Sequence, residues 1–216
     1  MHINRNILAI AMVLLLVGCQ SAYYSAMEKV GVHKRDIMLD RVEAAQESQV
    51  EAQQQFTSAL DQLSQLIKFE GGDLQAQYDA TNEQYEASKA AADDVTERID
   101  AIEDVAGALF EEWQTEINEY SSASLKRKSQ SKLVNTNRQY NTLIKSMRKA
   151  SSRMEPVLTA LKDNTLYLKH NLNARAIGAL QGEYESIKAD VEVLINDMNK
   201  SIAESQQFID MLQPES

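Results

Sequence analysis

Apolar and small residues return at alternating steps of three and four along most of this chain, and that spacing leaves few folds open. From Asp36 to Ile67 the series runs Met38, Val42, Ala45, Gln49, Ala52, Phe56, Ala59, Leu63 and Leu66. A helix turns once every 3.6 residues, so such a series lays one stripe along one face, the seam of a coiled coil. Gln49 is its only plainly polar member. The pattern returns as Leu74, Tyr78, Thr81, Tyr85, Ser88, Ala92, Val95, Ile99, Ile102, Ala106, Leu109 and Trp113, extended by Ile117 and Tyr120. A third run reads Leu133, Asn137, Tyr140, Ile144, Met147, Ser151, Met154, Leu158, Leu161, Thr165, Leu168 and Leu172, and a fourth continues from Ile177 to Leu212.

The breaks between runs carry turn and cap chemistry. Gly71 and Gly72 can end the first helix, and Asp73 can cap the second. Ser121 to Ser124 offer caps for the third. A five-residue slip between Leu172 and Ile177 marks the last break, with Asn173 as its N-cap. Pro156 lies inside the third run without disturbing the spacing, which predicts one continuous, kinked helix. With 7 Gly and 2 Pro in 216 residues, a β-rich fold full of tight turns is excluded. The sequence predicts an all-α protein, an elongated antiparallel bundle or coiled coil of about four long helices over residues 36–213. Trp113 is expected to anchor one end of it.

Upstream stands a different signal. Ile7 to Val17 form an apolar run that is too short for a transmembrane helix, which needs about 20 residues. Its length and the preceding Arg5 suit a secretory signal over residues 1–18. Leu16-Val17-Gly18-Cys19 looks like a bacterial lipobox, with the Cys19 thiol taking covalent lipid and cleavage following Gly18. Cys19 is the only cysteine, so once it carries lipid no thiol remains for a disulfide or a metal. Residues 19–35 read as a lipidated tether. There Tyr23 and Tyr24 suit a membrane–water interface, and Lys29, Lys34 and Arg35 could meet anionic headgroups. Gln20 occupies the position where an Asp favours inner-membrane retention in Gram-negative lipoproteins, which by that resemblance points to the outer membrane.

Charge is segregated by helix. Asp73 to Tyr120 hold 14 acidic residues against two basic ones, whereas Leu125 to Leu172 hold 11 basic against two acidic. The overall net charge is −10, which excludes a general nucleic-acid binder. A basic helix between acidic ones helps to set pairing within a bundle. Lys126, Arg127, Lys128 and Lys132 are the cations most able to keep spare charge, because they gather at a helix start, where the dipole disfavours them. They form a candidate anion-binding site.

No catalytic constellation is legible. His33 and His170 have no ligand-spaced partners, the glycines fail phosphate-loop spacing, and no Glu-x-x-His pair of the di-metal bundles occurs. Asp93, Glu97, Asp100 and Asp104 share a face that reads as a solvated acidic surface. The expectation is a non-enzyme with no cofactor or metal beyond the lipid on Cys19.

Three stretches carry a resemblance: Tyr23 to Asp36, Phe69 to Leu74, and Leu166 to Ala174. Together they resemble a family of Gram-negative coiled-coil lipoproteins filed as a domain of unknown function. The resemblance spans essentially the whole mature chain and implies a helical coiled coil in the envelope. It supplies no site residues. The expected protein is a lipid-anchored monomer on the periplasmic face of the outer membrane, serving as scaffold, spacer or surface for an envelope protein partner. The alternative is a binder of an anionic envelope polymer, peptidoglycan or lipopolysaccharide, through the basic third helix.

Overall fold

The computed structural model describes residues 23–24, 26–69 and 71–213. The signal segment, Leu16, Val17, Gly18 and Cys19 lie outside the described residues. Four long helices make up the body: α1 (Lys34–Ile67), α2 (Leu74–Glu119), α3 (Ala123–His170) and α4 (Ala174–Leu212). At 1.5 Å per residue, the 46 and 48 residues of α2 and α3 give lengths of roughly 70 Å. No strand occurs among the described residues.

The turns are made by the expected chemistry. Asp73 accepts hydrogen bonds from the backbone N–H groups of Gln75 at 2.9 Å and Ala76 at 3.2 Å, capping α2. Gly72 before it sits at φ +133°, and a Cβ there would meet the Phe69 ring at 3.1 Å. Both conditions favour glycine. Ser122 accepts from Leu125 N–H at 3.4 Å and so caps α3. Pro156 lies inside α3, which runs through it unbroken.

Each helix packs against its chain neighbour, and α4 returns to α1, which closes the ring. Pairings across every interface run in opposite register: Ser48 with Asp94, Gln62 with Gln77, Arg148 with Glu103, Lys149 with Asp197, Gln46 with Ile202. The bundle is therefore antiparallel, up-down-up-down, as short connections between long helices require.

The α1 seam holds without exception, every member from Met38 to Leu66 being buried. The members of the α4 series are likewise buried, apart from half-buried Tyr184. In α3 the buried face differs from the expected seam. Thr136, Leu143, Ala150, Val157 and Asn164 are buried, whereas Asn137, Ile144 and Ser151 are only half-buried. The reason is that α3 packs against both α2 and α4, so its buried stripe is wider than a two-helix seam. Tyr120, expected to extend the α2 seam, is 43% exposed.

Gln49 lies at the centre of the body with no exposed surface, and its Nε2 donates to Ser201 Oγ at 3.0 Å. Its Oε1 finds no partner among the described residues. A buried polar contact of this kind favours one register and one set of neighbours over others, at some cost in stability.

Candidate functional site

The helix interfaces lean to different chemistries, although Lys34 of α1 also pairs with Glu112 of α2 and Gln114 of α2 faces Gln130 of α3. Around α1 they use amides: Gln46 donates to Ile202 O, Gln53 to Asn199 Oδ1, Gln55 to Gln84 Oε1 and Gln181 to Ile67 O, all at 2.9–3.2 Å. Around α3 they use charges. Arg148 bridges Asp100 and Glu103 of α2, at 2.5 Å to each. These carboxylates push the guanidinium pKa further up, although burial works against it. Lys149 reaches Asp197 of α4 at 2.5 Å, and Arg153 Nε lies 3.4 Å from the same carboxylate. Hydrogen bonding from Lys149 holds Asp197 below the usual carboxylate range. Tyr140, edge-on to Phe110 with centroids 5.3 Å apart, is pushed up to about 12 by burial and by the nearby Glu103.

So the basic helix does meet acidic neighbours, but only part of it. Arg148, Lys149 and Arg153 are paired. Lys126, Arg127, Lys128 and Lys132 form no ion pair with any described residue, and neither do Arg138, Lys145, Lys162 and Lys169 further along α3. Lys126, Arg127 and Lys128 sit in the first two turns of α3, beside the end of α2, and Lys132 follows where Lys34 of α1 and Leu212 of α4 come close. There Trp113 Nε1 donates to Ser129 Oγ at 2.9 Å, and Gln114 faces Gln130. Neither α1 nor α4 reaches the tip of this hairpin. The Lys34 end of α1 lies level with Glu112, while Leu212 of α4 shares a notch with Leu109, Trp113 and Lys132. Beyond that level Tyr120 and Leu125 are exposed, while Ile117 is still fully enclosed.

The acidic quartet is dispersed. Asp93 pairs with Lys89 and Asp100 with Arg148. Among the described residues no three His, Cys, Asp or Glu side chains come together in a way that could hold a metal ion. His33 precedes α1 and His170 ends α3. No described helix is long and apolar enough to cross a membrane.

The stretch from Tyr23 to His33, read from sequence as part of a tether, belongs to the folded body. Tyr24 is 4% exposed, and its hydroxyl accepts a hydrogen bond from Arg41 Nη1 at 3.1 Å. The same nitrogen donates to Ala101 O of α2 at 2.5 Å. Lys34 is not a free headgroup ligand either. It pairs with Glu28 and with Glu112, and the two carboxylates raise its pKa against the effect of burial. Glu28 is correspondingly lowered by the Lys34 ammonium. A turn at Gly31, φ +85°, lets this segment fold back along α1. Only Tyr23 keeps an exposed ring, edge-on to Tyr24. Arg41 was not legible as a clamp, because nothing in its spacing from Tyr24 or Ala101 marks it.

Fold and surface together define a helical-bundle protein whose specialised regions are a clamped N-terminal segment and a charged hairpin end. The chain belongs to a protein family of unknown function (DUF2959), whose family model matches residues 23–212. The match begins at Tyr23 and ends at the last residue of α4. Membership of an uncharacterised family, implied by the resemblance above, is thereby shown. No curated protein and no solved structure matches the chain.

Proposed function

We propose that this protein is a non-enzymatic lipoprotein of the cell envelope. Lipid on Cys19 anchors the bundle on the periplasmic face of the outer membrane, where its long outer surfaces serve as a scaffold for an envelope protein partner. The observation that carries this reading is the placement of Leu16-Val17-Gly18-Cys19 at the end of an apolar run, four residues before the folded body begins at Tyr23. A covalent lipid contributes about 0.8 kcal/mol per buried CH₂, and more than one chain gives stable anchoring. The bundle works as a monomer, since each helix is covered by two neighbours from the same chain.

Two experiments bear on this. Cys19→Ser is expected to abolish processing and to change the membrane fractionation; wild-type processing in that variant overturns the anchor. Crosslinking in intact cells, followed by mass spectrometry, is expected to recover one abundant envelope protein with the chain. Recovery of no protein partner overturns the scaffold reading.

A further inference from the structure

The N-terminal segment fixes where on the rod an anchor would pull, and that point is not an end. Tyr24 shares a groove with Ala108, Glu111 and Thr115 of α2. From Ala108 to Tyr120 is about 18 Å of helix at 1.5 Å per residue, while the other arm of α2 runs about 50 Å back to Leu74. Tyr23 is four residues on from Cys19, with three residues between them, and a chain of four steps spans at most about 14 Å. A rigid rod held about 18 Å from its tip by a leash of about 14 Å cannot stand with that tip clear of the surface. Inverted, it would drive its longer arm into the same surface. Lying flat presents the acidic α1–α2 flank, on which the segment packs, and an anionic leaflet repels it. A tilted rod resting on its α2–α3 hairpin tip satisfies the leash.

The tip has matching chemistry. Lys126, Arg127 and Lys128 have no ion pair with any described residue and lie where the positive end of the α3 dipole disfavours cations. Their placement lowers helix stability with no ion pair to a described residue to offset it, a pattern found where function rather than folding sets the residue. Lys126 occupies the seam position one heptad before Leu133, so the core line ends in a cation. Beside it Tyr120 and Leu125 are 43% and 52% exposed. A Tyr ring suits the headgroup level, and basic side chains are drawn to anionic lipid surfaces. Glu116 and Glu119 are exposed on the α2 side, which leaves the first turns of α3 to make the contact.

We infer that the α2–α3 hairpin end is a second membrane contact. Lys126, Arg127 and Lys128 meet the phosphates of an anionic phospholipid surface, and Tyr120 and Leu125 enter its interface. The inference rests on the lipid-anchor reading for its geometry, and the test separates the two.

Trp113 is the only tryptophan and lies about 10 Å of helix from Tyr120, so its fluorescence reports on this end. The purified full chain is reconstituted with phosphatidylethanolamine vesicles, with or without phosphatidylglycerol, that carry a nitroxide headgroup lipid. Its intact mass shows whether Cys19 is acylated. Trp113 is expected to be strongly quenched with phosphatidylglycerol and weakly without it, and the quenching should fade as salt rises. The variant Lys126→Glu/Arg127→Glu/Lys128→Glu should lose most of the quenching while its anchor keeps it on the vesicles. The neutralising set Lys126→Gln/Arg127→Gln/Lys128→Gln should lose part of it, and serves if charge reversal disorders the tip.

An acylated, vesicle-bound chain with unquenched Trp113 overturns the contact and leaves the anchor standing. An unacylated chain that still binds phosphatidylglycerol through the three cations keeps the contact and removes the anchor. An unacylated chain that binds no vesicle overturns both. Sedimentation with purified peptidoglycan that the charge reversal abolishes, with quenching unchanged, overturns the lipid assignment in favour of the polymer.

Discussion

The middle of the rod and its hairpin end are written in the same heptads, yet they bury very different cores. In the middle Phe56, Ile99, Met147 and Met198 are all fully enclosed, one from each helix. At the hairpin end Ile117 is still enclosed, but Tyr120, Leu125 and Val134 stand open. The α2 stripe runs on through Ile117 to Tyr120, whereas the α3 stripe gives way to Lys126 one heptad before Leu133. The packing around them changes as well, because among the described residues α1 begins at Lys34 and α4 stops at Leu212. A stripe becomes a core only where other stripes meet it, and a residue on an unpartnered stretch is left for another surface.

That contrast can be broken from the centre outwards. Phe56→Ala should cost about 3–5 kcal/mol, the usual cost of an emptied aromatic site in a packed core, measured by urea unfolding. Ile117→Ala should cost somewhat less, about 2–4 kcal/mol, because fewer buried carbons are removed. Hydrogen exchange should show its effect as faster opening of residues near 115–130, with the centre still protected. An equal global loss from both variants would mean that the end folds as one unit with the body.

Gln49→Leu should change stability by about 1 kcal/mol or less, since it removes the unpartnered Oε1 along with one hydrogen bond. Size-exclusion chromatography and thermal melts would show whether the bundle then tolerates other pairings. Asp197→Asn should cost about 0.5–1 kcal/mol; its side chain is 13% exposed, but its partners Lys149 and Arg153 are about half exposed.

The pH profile tests the same contacts. Asp197 and Glu28 have depressed pKa values in the folded state, so each contributes stability above its ordinary value, 3.8 and 4.5 respectively, and loses it as pH falls through the folded value. Lys34 has a raised pKa, so its contribution is complete below 10.5 and is lost as pH rises through the folded value. Thermal melts across pH should therefore sag at both extremes, and Glu28→Gln together with Lys34→Gln should flatten both sags. The smallest effect is expected at the tip, where reversing Lys126, Arg127 and Lys128 should cost no urea stability and should raise it by up to about 1 kcal/mol, since carboxylates suit the first turns of a helix. A loss would give these cations a structural role.

Much of this architecture was legible in the residues. Periodicity settled four helices, and glycine, Asp73 and Ser122 marked where they stop and start, because caps and turns are satisfied within a few residues of chain. The α1 stripe was readable in full for the same local reason. Membership of an uncharacterised family followed from stretches such as Phe69 to Leu74. A stretch that looks like a lipobox, Leu16-Val17-Gly18-Cys19, also stood in the residues, and the proposal built on it is tested at Cys19.

Only the tertiary structure decided the rest. The widened face of α3, with Leu143 and Ala150 buried, depends on α3 having two neighbours, and no single stripe declares how many neighbours it will have. Tyr24 became a buried residue held by Arg41, distant in sequence, which donates both to its hydroxyl and to Ala101 O of α2. Of the α3 cations, Arg148, Lys149 and Arg153 pair with described residues, whereas Lys126, Arg127 and Lys128 at the tip and Arg138, Lys145, Lys162 and Lys169 along the body do not. That split depends on which carboxylates of α2 and α4 come level with each cation, a matter of three-dimensional register between helices that local composition does not encode.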